Sequence, residues 1–177
     1  GLMLSLVGSM VIVLGACGGT QQQSEIVEAN GDPQAAETRK YETVMGEIEI
    51  PKDPKRIVAT QYLGHLLTLG VKPVGAGTAS LNQYFLQDLT DGIEDIGDDK
   101  AALEKIVALD PDLIIRPSDK NYEEFSKIAP TIVIPWGAKD IYAELREFGE
   151  ILGKSEEAEE AIRRYEEKLE EARAKLT

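Results

Sequence analysis

Apolar positions are unevenly distributed along the 177 residues, and their spacing changes in kind from one stretch to the next. Residues 2–14 (LMLSLVGSMVIVL) form a nearly continuous apolar run. It is too short for a stable bilayer-spanning helix but has the length of a signal-peptide hydrophobic segment. Residues 18–39 are rich in Gly, Gln, Glu, Ala and Asn, with Ile26 and Val27 as the larger aliphatics. Such a stretch cannot bury enough apolar surface to offset its ordering entropy, which predicts a flexible tether over 18–40. From Tyr41 to Ile50 the pattern alternates loosely through Val44 and Ile48, with a turn signal at Met45-Gly46, as expected of a hairpin.

Beyond Pro54, short β-branched runs alternate with helical stripes. Arg56 to Thr60 reads as a buried strand, and Leu63, Leu66, Leu67 and Leu69 as a helix ending at Gly70. Residues 73–76 read as a strand, 101–109 as a helix, 113–116 as a strand and 121–129 as a helix stopped by Pro130. Residues 131–134 come next as a strand, then 140–152 as a helix on Ile141, Leu145, Phe148, Ile151 and Leu152, closed by Gly153. Strands of about four residues alternating with helices predict an α/β, three-layer lobe with a mainly parallel sheet covered on both faces. Ligands of such sheets bind outside the carboxyl ends of the strands, which directs attention to the loops after Thr60, Ala76, Arg116 and Ile134. The tail differs: Ala158, Ile162, Tyr165, Leu169, Ala172 and Leu176 mark one narrow stripe on a long helix. Its i,i+4 pairs are expected at Glu159/Arg163, Glu160/Arg164 and Glu171/Lys175. The helix suits a strut across a domain, or equally a coiled coil.

The charge of −13 excludes a nucleic-acid binder, which needs a basic face to offset phosphate repulsion. One cysteine and one histidine permit neither an internal disulfide nor a Cys/His metal cluster. The cysteine comes directly after the apolar run. Leu14-Gly15-Ala16-Cys17 resembles the lipobox of bacterial lipoproteins, with small residues for peptidase access and a thiol to lipidate. The chain begins at Gly1 without a basic segment, and so reads as truncated at its start. No Ser/His/Asp pattern, nucleophile elbow or phosphate-cradling loop is present, and Gly75-Ala76-Gly77 is a weak echo of a dinucleotide site.

Several stretches together resemble the class III substrate-binding proteins of ABC importers, which serve siderophore, haem and cobalamin uptake. They are Ile50-Pro51-Lys52-Asp53-Pro54-Lys55-Arg56-Ile57, Leu69-Gly70-Val71-Lys72-Pro73-Val74-Gly75, the run from Leu103 to Ile115, Lys127-Ile128-Ala129-Pro130-Thr131 and Leu152-Gly153-Lys154. Within the class the chain is most similar to the ferric-hydroxamate lipoproteins of Gram-positive bacteria. The resemblance implies two α/β lobes joined by a long helix with the ligand between them. Here 1–17 is then a lipoprotein signal with its cysteine, 18–40 a tether, 41–153 the first lobe and 154–177 the start of the connector helix, with the second lobe missing.

The function this resemblance implies is that of a binding protein and not an enzyme, a monomer anchored through Cys17 on the extracytoplasmic face of the cell membrane. It would capture a ferric siderophore and pass it to the permease, with iron entering only as part of the ligand and no resident cofactor. The resemblance places a permease-docking carboxylate at Glu104, where a charge pair steers reversible association. Trp136, the sole tryptophan, matches an aromatic ligand contact and can pack on siderophore alkyl arms; otherwise it is core. Arg116, at a strand end, is expected at the cleft rim donating to hydroxamate or catecholate oxygens, or else as a surface arginine paired with an acid. Gln61 and Tyr62 are expected to line the floor, though Tyr62 also suits the core. His65, isolated from other ligand types, reads as a surface residue. Haem or cobalamin is the alternative ligand, and an exported Rossmann-like enzyme domain or a coiled-coil lipoprotein the alternative class.

Overall fold

The computed structural model of the chain describes residues 37–97 and 102–176. The loose alternation around Tyr41 produces a hairpin, β1 (Thr38–Thr43) and β2 (Gly46–Pro51), paired antiparallel from Thr38↔Pro51 to Thr43↔Gly46. Val44 and Met45 make the turn, and Gly46 takes φ 104°, which a side chain would resist. The Thr43 hydroxyl closes it, donating to the Gly46 carbonyl at 2.8 Å and accepting from the Met45 amide at 3.0 Å. Thr38, Arg39 and Lys40, read from sequence as tether, belong to β1. They pair with β2, and Arg39 donates to the Glu150 carbonyl at 2.6 Å.

The main sheet contains β3 (Ile57–Ala59), β4 (Gly75–Ala76), β5 (Glu94–Asp95), β6 (Leu113–Arg116) and β7 (Thr131–Val133). Their order is β5-β4-β3-β6-β7, and every neighbouring pair is parallel. The chain leaves β3 toward one edge and returns to β6 on its other side, so the topological switch lies between β3 and β6. β5 has no counterpart in the sequence reading, because two exposed acidic residues carry no strand signal. At Gly75 a Cβ would sit 2.6 Å from Leu109 Cδ1 and 2.8 Å from Ile96 Cγ2, so this glycine serves sheet packing.

Strand alternation divides the core. Ile57, Ala59, Leu113, Ile115, Ile132 and Ile134 join one cluster with the hairpin, α1 (Leu63–Thr68) and α5 (Ile141–Leu152). Val58 and Ile114 point to the other face, onto α3 (Ala102–Leu109) and Phe125 of α4 (Tyr122–Ser126). A short α2 (Thr78–Leu81) and a 3-10 helix (Tyr84–Leu89) close the β4 side. The result is the three-layer α/β arrangement.

Two of the sequence segments that carry the resemblance meet at the start of β3. Asp112 accepts from the amides of Lys55 (2.6 Å) and Arg56 (2.9 Å), while Arg56 donates from Nε to the carbonyls of Leu109 (3.1 Å) and Asp110 (3.0 Å). The clamp fixes the register of β3 against β6 before either strand's first ladder bond.

Asp140 caps α5 through Oδ1, which accepts from the amides of Tyr142 and Ala143 at 3.0 Å. Gly153 ends the helix in the left-handed region at φ 66°, as its position predicts. The long α6 (Ser155–Ala174) then crosses α5 closely, since a Cβ on Gly149 would meet Ala158 Cβ at 2.8 Å. The expected Glu159/Arg163 pair is not formed. Glu159 instead takes a two-pronged bond from Arg146 of α5 (2.6 and 3.0 Å), and Arg163 pairs with Glu160 and Glu167. The apolar stripe of α6 is buried at Ala158, Ala161 and Ile162, whereas Tyr165 is 54% exposed.

Candidate functional site

A cavity of about 1210 Å³ lies at the carboxyl ends of the strands. All four predicted loops reach it: Gln61 and Tyr62 after β3, Ala79 and Ser80 after β4, Pro117 and Ser118 after β6, and Trp136 after β7. Its far wall comes from α5 and α6 through Ile141, Tyr142, Leu145, Arg164, Tyr165 and Lys168. Ile141, expected in the core stripe of α5, is the first residue of that helix and is 64% exposed at this wall.

Tyr62 organises the floor. It stands just before α1 with φ 67°, a left-handed backbone that costs a non-glycine residue about 1 kcal/mol or more. Three contacts offset that strain. Its hydroxyl donates to the Ile134 carbonyl at 2.6 Å, its ring packs on Phe148 at 5.2 Å, and it stacks under Trp136 at 5.6 Å with 30° between planes. Burial, with the charges of Glu144 and Glu147 adding, pushes the phenol up to about 12. Tyr62 therefore stays a hydrogen-bond donor at any physiological pH. Because Ile134 precedes Trp136 by two residues, the same phenol fixes the loop that carries the indole.

Trp136 is 72% exposed. One face rests on Tyr62 and the indole lines the cavity, held in a turn where Gly137 has φ 70°. Leaving so large a ring in water forgoes about 2 kcal/mol of burial and gives the cavity an uncovered apolar face. Gln61 is half-buried beside it and lines the cavity.

Arg116 is not at the rim. It shares strand parity with Ile114, so its side chain enters the opposite face, where it is 6% exposed with its guanidinium carbon 3.5 Å from the Phe125 ring centroid. The sequence placed it correctly at a strand end but could not say which face its parity selects. His65 corrects the reading in the other direction. It is no surface residue: Nε2 donates to Glu144 Oε2 at 2.9 Å, with side-chain exposures of 20% and 13%, and the ring stacks on Phe148 at 4.9 Å while lining the cavity. Burial holds its imidazole below the usual range, opposed by the charge and hydrogen bond of Glu144.

Phe85, 75% exposed in the 3-10 helix, also lines the cavity and was missed, since Tyr84-Phe85 sits in a segment without periodicity. Glu104 is exposed in the first turn of α3, on the layer beyond the other sheet face and away from the cavity lining. Cys17 lies outside the described residues. Among the described residues no three His, Cys, Asp or Glu side chains converge to hold a metal ion.

The lining has a charge character unlike the whole. The chain carries 32 acidic residues, yet among the described residues no carboxylate lines the cavity, whose charged side chains are Arg164 and Lys168.

The cleft therefore lies at the carboxyl ends of a parallel sheet, where α/β proteins bind ligands, and comparison with known proteins gives the family. Residues 57–177 match the periplasmic binding protein family, and the chain belongs to it. It is 35% identical over 175 residues to the iron(3+)-hydroxamate-binding protein YxeB of Bacillus subtilis, covering 97% of this chain and 54% of that protein. Among solved structures, the FhuD-fold binding protein component of a ferrichrome ABC transporter from Bacillus subtilis superposes with a TM-score of 0.70 at 32% identity, covering 76% of this chain and 51% of that one. Staphylococcus aureus SirA complexed with staphyloferrin B gives a TM-score of 0.65 at 31% identity, covering 78% and 51%. The chain thus spans about half the length of the relatives it matches.

Proposed function

We propose that this chain is the first lobe of an extracytoplasmic binding protein that captures a ferric siderophore, of hydroxamate type, and delivers it to an ABC permease. The observation that carries the reading is the cavity lining: among the described residues, stacked aromatics and two cations with no carboxylate, in a protein of charge −13. An oxygen-rich iron complex with alkyl arms needs hydrogen-bond donors and flat apolar surface, and carboxylates, which only accept, have nothing to offer its oxygens. The hydroxamate assignment rests on the relatives named for that ligand.

In this reading Trp136, Tyr62 and Gln61 contact the ligand from the floor. Glu104, exposed on the α3 side, is free to meet the permease while the cleft is occupied. Cys17 carries the lipid, so Cys17→Ala should abolish palmitate labelling; labelling that persists would sink the lipobox assignment.

The deciding measurement uses Trp136, the sole tryptophan of the chain, as reporter. Titration with a ferric hydroxamate should quench its emission saturably, and the iron-free compound should not. Half the length of the relatives holds only part of the contacts. A deficit of about 4 kcal/mol weakens nanomolar binding to micromolar, which is the affinity expected of the chain alone. Absence of saturable quenching by every ferric siderophore tried would overturn the proposal.

A further inference from the structure

His65 and Glu144 are half-buried against the aromatic floor, and the ligand contacts assigned above to Trp136, Tyr62 and Gln61 make no use of them. Their placement is unusual for mere filling. A largely covered hydrogen-bonded polar pair recovers little beyond its own desolvation cost, so packing stability alone does not account for it. What a His–carboxylate bond adds is direction: it fixes the plane and tilt of the imidazole. That ring touches the floor on two sides, stacked on Phe148 at 4.9 Å and 27°, and meeting Tyr62 edge-on at 5.5 Å and 79°. Tyr62 in turn carries Trp136 and, through Ile134, the backbone leading to it.

We propose that Glu144 and His65 are a positioning pair for the ligand site, holding Tyr62, and through it Trp136, in place from behind. This rests on the reading of Trp136 as a ligand contact. Glu144 is not among the residues lining the cavity, and His65, which borders it, has its Nε2 engaged by Glu144; the pair acts through the stack, as supporting residues must if a recognition surface is to be held to within a fraction of an ångström. The neighbourhood is asymmetric. Glu144 and Glu147 face the cluster from α5, with Glu147 paired to Lys139 at 2.9 Å; Tyr62 faces it from the chain leading into α1; Arg164 and Lys168 of α6 stand across the cavity. Charging His65 draws the imidazolium toward Glu144 and toward the ring faces of its aromatic neighbours, shifting the edge on which Tyr62 leans.

The two ends of this chain of contacts are the only histidine and the only tryptophan, so each gives one unambiguous signal. In the ligand-free protein, His65 is titrated by proton NMR and Trp136 by fluorescence across the same acid range. Both signals should move with one midpoint. In Glu144→Gln, which removes the charge that raises the imidazole but keeps an acceptor, both midpoints should shift together to lower pH. In Tyr62→Leu, His65 should still titrate and Trp136 should stay flat. Trp136 emission that ignores the His65 transition in the unaltered protein, or fails to track it in Glu144→Gln, overturns the proposal. With a ferric hydroxamate, Glu144→Leu should bind about tenfold weaker at neutral pH and Glu144→Gln about twofold or less. Equal losses in both variants would also count against it. A protein that binds no siderophore at all would overturn the functional reading instead, while the ligand-free titrations still decide whether the pair positions Trp136.

Discussion

The two faces of the parallel sheet are built from the same strands yet end in opposite states. The face under α3 and α4 is closed: Val58, Ile106, Ile114 and Phe125 are buried, and even Arg116 is folded in against Phe125. The face under α1 and α5 is equally closed beneath the hairpin, but toward the strands' carboxyl ends it opens into the cavity. There it holds a left-handed Tyr62, a hydrogen-bonded His–Glu pair and an exposed indole. Packing and exposure have been separated, by parity within the strands and by the loops that leave their carboxyl ends. One face commits its side chains to packing; the other keeps strained and uncovered groups that only a surrounding rigid core can tolerate.

If that separation is real, damage to the closed face should cost stability without disturbing the open one. The largest effect is expected from Phe125→Ala, about 3–5 kcal/mol by urea unfolding, since the cavity left behind also strips the packing from Arg116. The emission of Trp136 in the folded variant should be unchanged, and a shift would show the faces are coupled. Asp112→Ala should cost about 2–3 kcal/mol, because two amides at the start of β3 lose their acceptor. Again the indole signal should stay put.

Tyr62→Phe sits on the open side and should reverse the pattern. Its stability loss is smaller, about 1–2 kcal/mol for the unsatisfied Ile134 carbonyl, but Trp136 emission should shift. The same residue gives a pH test. Its phenol is raised from 10 to about 12, so the neutral form is favoured in the fold. That contribution is complete below pH 10 and is lost as pH rises toward about 12. Alkaline denaturation should therefore be shallower in Tyr62→Phe than in the unaltered protein. At the small end, Glu104→Ala should change stability by less than about 0.5 kcal/mol and leave ligand quenching alone. In a protein carrying both lobes it should reduce uptake, and normal uptake would remove the docking role.

Periodicity was enough to place most of the sheet and the helices around it, because apolar spacing reports burial directly. β5 escaped for the reverse reason: Glu94 and Asp95 pair at an edge without burying anything. The four loops were also legible, since a parallel sheet puts its ligand end where the strands stop. What could not be read was the sense of each side chain. Arg116 and Trp136 both stand at the ends of neighbouring strands, yet one is still within the pleat and bound by its parity, while the other lies past it in a turn. His65 looked isolated because its partner Glu144 is distant in sequence and only α5 packing brings them together. Glu159 found Arg146 for the same reason, on a helix that local i,i+4 rules do not include.

The position of the floor residues beyond the strand ends bears on how such a protein changes over time. Gln61, Ser118 and Trp136 lie outside the ladder and outside the buried clusters, so replacing them leaves the strand pairs and the core as they are. The scaffold can therefore be inherited intact while the lining is exchanged, and the shape and chemistry of the cavity can evolve without passing through an unstable ancestor. Tyr62 is the exception. Tied to Ile134 and inserted among Phe148 and His65, it belongs to both the lining and the core, and is where a drifting specificity would meet resistance.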